Sequence, residues 1–86
     1  MRYPQQSKFM IETRAKYNIT QRMIADETKK VSPQFVSKIE CGISPISTTI
    51  ANALLKLCPT LTKQSIVDAY ISDAKKEFES KLKRRK

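Results

Sequence analysis

The fold is decided by the stretch Ile19-Thr20-Gln21-Arg22-Met23-Ile24-Ala25 and its continuation, Val31-Ser32-Pro33-Gln34-Phe35-Val36-Ser37-Lys38-Ile39-Glu40-Cys41-Gly42. Both halves open with the same device. Thr20 stands at an N-cap, with Ile19 before it and Ile24 four residues into the helix; Ser32 repeats the arrangement with Val31 and Val36. A cap hydroxyl accepts from a backbone N–H that has no partner inside the helix. The flanking apolar pair fixes the angle at which the chain enters. Pro33 takes the first helical position of the second half, where the N–H it lacks would have been unpaired. Gly42 can adopt the left-handed conformation that ends the helix. The stretch predicts helices at 21–28 and 33–40 joined by a tight turn at Thr28-Lys29-Lys30-Val31. Ile24, Ala25 and Thr28 face inward from the first, and Val36 and Ile39 from the second.

Outward from this pair, the punctuating residues fall between runs of helical apolar period, and no segment sustains period-two alternation, so the fold class is all-α. Upstream, a first helix runs from Ser7, its N-cap, to about Tyr17, with Met10, Ile11, Arg14 and Ala15 on one face and Asn18 as a left-handed terminator. Downstream, Ile43-Ser44-Pro45-Ile46 is a loop. Ser47 caps a fourth helix that buries Ile50, Ala53, Leu54 and Leu57, and Cys58-Pro59 stops it. Leu61 and Thr62 repeat the staple and cap, with Ile66 as the inner partner. A fifth helix then carries Ile66, Val67, Tyr70, Ile71, Ala74, Phe78 and Leu82 at spacings of three and four. Its roughly 20 residues would reach about 30 Å, more than a four-helix core can cover. The chain divides into residues 1–61, which hold the paired short helices, and residues 62–86, the long helix with a basic tail.

Eighty-six residues make one small domain with limited capacity to bury apolar surface. There is no histidine, and Cys41 and Cys58 form no CxxC or Cys/His cluster. The commonest general base and metal ligand are therefore missing, and with no glycine-rich loop no enzyme activity, cofactor or metal is expected. No apolar run approaches the roughly 18–20 residues that span a membrane, and the opening residues lack the apolar segment of a signal peptide. The expected compartment is the cytoplasm, with no membrane partner. The net charge is +9, and it is not confined to the tail: residues 75–86 hold seven Lys/Arg against two Glu, the rest ten against six Asp/Glu. A small domain this basic points to nucleic acid or an anionic surface.

Over about residues 10–57 the order of residues resembles the helix-turn-helix class typified by phage Cro and repressor proteins, the Xre class. Thr20-Gln21-Arg22-Met23-Ile24-Ala25 is similar to that family's first motif helix, and Val36-Ser37-Lys38-Ile39-Glu40-Cys41-Gly42 to the end of its recognition helix. Pro45 falls near the family's proline. The resemblance implies a lambda-repressor-like DNA-binding domain; with the long helix read from its apolar stripe, which matches no part of the family pattern, the expected fold is five helices with an extended C-terminal one. It also implies that Arg14, seven residues before Gln21, pairs with Glu40. The chain departs from the pattern by one extra residue between Ile24 and Glu40, by Lys29-Lys30 in a turn without glycine, and by one residue fewer between Gly42 and Pro45. Its small size resembles Cro-like regulators more than full-length repressors.

A B-DNA major groove, about 12 Å wide, admits one helix, whose N-terminal residues reach base edges. If the helix at 33–40 lies there, Pro33, Gln34, Ser37 and Lys38 face outward, with Ser32 at its start. Gln34 suits adenine, Lys38 guanine or a phosphate, and Ser37 either. Phe35 has two readings, an apolar contact to a thymine methyl or packing on the core. Gln21, with the exposed N–H groups of its helix start, suits a phosphate. Arg22, Lys29 and Lys30, and the hydroxyls of Ser44, Ser47 and Thr48, are further backbone candidates. Cys41 is either a spectator thiol or a redox sensor, and Cys58 reads as core.

The apolar stripe of the last helix either completes the monomer's core or forms a dimer seam through Tyr70, Ile71, Ala74 and Phe78. The basic residues at 81–86 are a DNA-binding arm or a solubilising tail. The expected function is a Cro-like repressor, a homodimer on double-stranded operator DNA. Two alternatives stay open: the antitoxin of a toxin–antitoxin pair, with the stripe serving the toxin, and a protein-interaction module that has kept the fold.

Overall fold

The computed structural model describes residues 2–84, and among these all regular structure is helical. The order is α1 (Pro4–Tyr17), α2 (Gln21–Thr28), α3 (Pro33–Glu40), α4 (Thr48–Leu57) and α5 (Lys63–Arg84). Four of the boundaries follow from local chemistry already visible in the residues. The Thr20 hydroxyl accepts from the Met23 N–H at 3.0 Å, that of Ser47 from Ile50 at 3.2 Å, and that of Thr62 from Ser65 at 3.2 Å. Asn18 ends α1 in the left-handed region at φ 56°. At α3 the apolar staple is in place but the cap is not. Ser32 makes no side-chain capping bond, because the Phe35 N–H it would have satisfied goes to the Ser32 carbonyl at 3.0 Å.

The turn between α2 and α3 needs a left-handed residue and takes it from Lys29, at φ 59°. The Thr28 hydroxyl organises the rest of the turn. It donates to the Ala25 carbonyl at 2.7 Å and accepts from the N–H groups of Lys30 and Val31, each at 3.2 Å. Gly42, at φ 75°, turns the chain out of α3 so that Ile43 N–H can return to the Lys38 carbonyl at 3.0 Å.

α1 differs from the sequence expectation. It starts at Pro4, three residues before Ser7, and its buried residues are Gln6, Ser7, Met10 and Thr13. Ile11 and Ala15, expected inside, are exposed. The reason is that this helix docks by hydrogen bonds more than by apolar contact. Ser7, inside the helix and not capping it, donates its hydroxyl to the Glu40 carbonyl. Gln6 Oε1 accepts from the Ile46 N–H at 2.7 Å. Tyr3, at the N-cap, offers no side-chain bond. The cap comes from α5: Asp73 accepts the Gln5 N–H on Oδ1 and the Gln6 N–H on Oδ2, both at 2.9 Å.

The core is one cluster, with Met10, Ile24, Val36, Ile39, Ile50, Leu54 and Cys58 fully buried at its centre. α1 packs on α3 and α5, α2 on α3 and α4, and α4 on the start of α5. Leu57, expected inside, is half-buried. Burial pushes the Cys58 thiol pKa above its ordinary value, so the group stays neutral and serves as apolar filling. Among the α5 residues whose burial is described, only Ile66 and Asp73 are buried, and every residue from Ala74 to Leu82 is exposed. The molecule measures 47 × 25 × 20 Å. Of the basic end at 81–86, the helix includes positions up to Arg84, and residues 85 and 86 lie outside the described ones. No helix among the described residues is long and apolar enough to cross a membrane.

Two substitutions test these contacts. Asp73→Ala should lower stability by about 2 kcal/mol and the thermal midpoint by roughly 10 °C, since two helix-start N–H groups lose a charged acceptor. Lys29→Gly should raise stability by about 0.5–1 kcal/mol, because relief of the left-handed penalty exceeds the added chain entropy. Thermal unfolding followed by circular dichroism reads both.

Candidate nucleic-acid interface

The orientation of α3 is set from behind. Val36 and Ile39 have no exposed surface, so the opposite side of the helix must face out. Gln34 and Lys38, four residues apart on that side, are exposed. Ser32 is exposed at the helix start, and Pro33 and Ser37 are half-buried at the edges. Phe35 is half-buried and packs against the core, which places its ring on the protein side of the helix. The far end of α3 is closed by the loop: Ile43 and Ser44 N–H both donate to the Lys38 carbonyl, at 3.0 and 3.3 Å.

Glu40, the last residue of α3, is the junction of the site. Arg14 of α1 donates to it twice, through Nε to Oε2 and through Nη2 to Oε1 at 3.0 Å. The Glu40 side chain is only 10% exposed. This hydrogen bond is the main reason the Arg14 pKa stands above its ordinary value; burial opposes the shift and the direct charge attraction adds to it. Gln21, in the first turn of α2, joins the pair by donating Nε2 to Glu40 Oε1 at 3.1 Å. An amide nitrogen carries two hydrogens. One is spent on Glu40, and the second N–H and the carbonyl oxygen remain for a ligand.

Around this frame stand loosely held cations. Arg22 lies 4.0 Å from Asp26, with both side chains at least 75% exposed, an arrangement that contributes almost nothing and leaves Arg22 free to turn. Lys29 and Lys30 are exposed in the turn. Ser44, in the loop after α3, and Ser47, the N-cap of α4, are half-buried. The Ser47 oxygen is occupied by the Ile50 N–H, so its remaining capacity is as a donor. Tyr70, Ile71, Ala74 and Phe78 sit apart from this set, exposed on α5.

Several positioning residues are not evident from the local pattern: Gln6 and Ser7, which hold the end of α3 and its loop, Thr28 in the turn, and Asp73 behind α1. A signal existed for Gln6. Gln6, Met10 and Thr13 are spaced at four and three, the period of a docked helix face, but two of the three are polar.

A family model described as helix-turn-helix matches residues 10–62. No curated protein and no solved structure shows significant similarity to the chain. The matched segment contains Arg14, Gln21, all of α2 and α3, and Glu40.

Truncating Arg14 leaves a largely buried carboxylate without its charge partner. Arg14→Ala should cost about 3–5 kcal/mol, read as a lower midpoint in urea titration.

Proposed function

Since the chain belongs to the Cro/Xre-type helix-turn-helix family of DNA-binding regulators, we propose that it is a Cro-like repressor. It reads double-stranded operator DNA with α3 in the major groove and acts in the cytoplasm by excluding polymerase. The observation that carries this reading is the division of α3: Val36 and Ile39 fully buried, Gln34 and Lys38 exposed. Gln34 meets adenine with paired donor and acceptor, and Lys38 donates to guanine or a phosphate. Ser32, Pro33 and Ser37 line the same groove, with the Phe35 ring at its inner edge. Gln21, steadied by Glu40, and the N-terminal turn of α2 take a backbone phosphate. Arg22, Lys29, Lys30, Ser44 and Ser47 add contacts that fix position without reading sequence.

The protein works as a homodimer through α5, because a two-fold pair of reading helices matches half-sites about 34 Å apart. Tyr70, Ile71, Ala74 and Phe78 are exposed on that helix, and an apolar stripe left uncovered in the monomer supports their use as a seam.

An operator is first recovered by selection from random oligonucleotides. Gln34→Ala should then weaken operator binding by about 1–3 kcal/mol and relax preference at one base position. Lys30→Ala should weaken operator and random DNA alike and reduce the slope of log K against log salt by about one. Equal losses by both variants on both DNAs would remove α3 as the reader.

A further inference from the structure

We propose that Asp73 is a positioning residue for DNA reading. From α5 it holds the first turn of α1, and that turn holds the end of α3 and the loop after it in the pose from which Gln34 and Lys38 meet base edges. The proposal rests on the reading of α3 as the recognition helix and adds what keeps that helix in place.

The end of α3 and its loop are held from one short segment. The N–H groups of Arg2 and Tyr3 both donate to the Gly42 carbonyl, at 3.0 and 3.1 Å. Gln6 Oε1 accepts from the Ile46 N–H at 2.7 Å, and the Ser7 hydroxyl donates to the Glu40 carbonyl. Four hydrogen bonds thus run from residues 2–7 to residues 40–46. Gly42 and Ile46 are buried, so their backbone groups have little water to turn to if these partners leave.

That segment does not hold itself. Tyr3 at the N-cap gives no side-chain bond, and Pro4 lacks an N–H. Gln6 and Ser7 are buried but polar, and the first buried apolar residue of the helix is Met10. What closes the turn is a carboxylate from α5. Asp73 is 4% exposed, and its two oxygens each accept one N–H, from Gln5 and from Gln6, at 2.9 Å. A negative charge bonded to the unpaired N–H groups of a helix start makes a stronger cap than a neutral side chain. Gln6 is therefore held through its backbone by Asp73 and holds Ile46 through its side chain, so a single residue joins α5 to the loop after α3. Residues 2–7 and Asp73 lie outside the segment 10–62 that matches the helix-turn-helix model, and the motif alone does not supply this connection.

The two kinds of DNA contact respond differently to its loss. Base edges are read by hydrogen bonds that need a fixed helix, whereas phosphates are drawn by charge, which tolerates movement. The test uses the full chain and the operator recovered by selection. Asp73→Asn keeps the shape and one acceptor oxygen and removes the charge. Binding is compared where circular dichroism shows both chains fully folded and sedimentation gives them the same association state. The variant should bind the operator about tenfold more weakly and random DNA within about twofold of the native chain. Amide exchange in the free protein should rise by about tenfold at Ile43, Ser44 and Ile46 and stay unchanged at Ile24 and Leu54. A uniform rise would reduce Asp73 to a stabilising cap and overturn the proposal, as would full retention of operator preference. Gln6→Ala should reproduce the loss, and the double variant should lose no more than the larger single loss, since both cut one connection. Losses that multiply would overturn the route through Gln6. A native chain that selects no sequence would sink the reading of α3 itself, and the exchange pattern would still judge the connection. Asp73→Glu, which keeps the charge and shifts the oxygens by one methylene, carries the same comparison should Asp73→Asn fail to fold.

Discussion

The Glu40 carboxylate is the point on which the arrangement of the first three helices depends. Arg14 reaches it from α1 and Gln21 from α2, and the carbonyl of the same residue receives the Ser7 hydroxyl. An eight-residue helix is too short to hold itself in water, and α3 lacks the hydroxyl cap that would have helped it. Its direction is set by two side chains behind it and one carboxylate at its end. Buried ion pairs contribute little net stability but tolerate poorly the loss of one member. The Glu40 cluster accordingly fixes where α3 points more than it strengthens the fold.

The electrostatics work on a different scale. Among the described residues the ion pairs outside Glu40 are exposed or long: Arg2 with Glu77 at 3.6 Å, Lys56 with Glu27 at 3.8 Å, Arg22 with Asp26 at 4.0 Å. Pairs of this kind contribute little and are screened by salt. The excess of nine positive charges is felt by a polyanion as a field that draws it in.

What was legible in the residues was what is decided locally. The caps at Thr20, Ser47 and Thr62, the apolar pairs flanking them and the buried positions of α3 all depend on neighbours within a turn or two. The start and inner face of α1 escaped, because Gln6 and Ser7 are buried by bonds to groups about 30 to 40 residues away, and apolar periodicity does not register them. Its cap lies 67 residues downstream in Asp73. Ser32 looked like a cap by type, but its own backbone carbonyl, not its hydroxyl, took the N–H. Lys29 gave no hint of a left-handed backbone, which lysine adopts at a cost and only where the tertiary structure demands it. On α3 the helical period separates Gln34 and Lys38 from Val36 and Ile39. Phe35 sits on the boundary, and only packing decides its side. The link from Gln21 to Glu40 spans 19 positions and has no local signature.

α1 is gripped twice. Its first turn is held by a carboxylate of α5, and farther along it holds the end of α3 through Ser7 and Arg14. Its 14 residues form a rod about 21 Å long, and a rod fastened at two places behaves as a lever. A tilt imposed on α5 would be delivered by α1 to the last turn of α3, so the attitudes of the longest helix and of this short one are mechanically one adjustment.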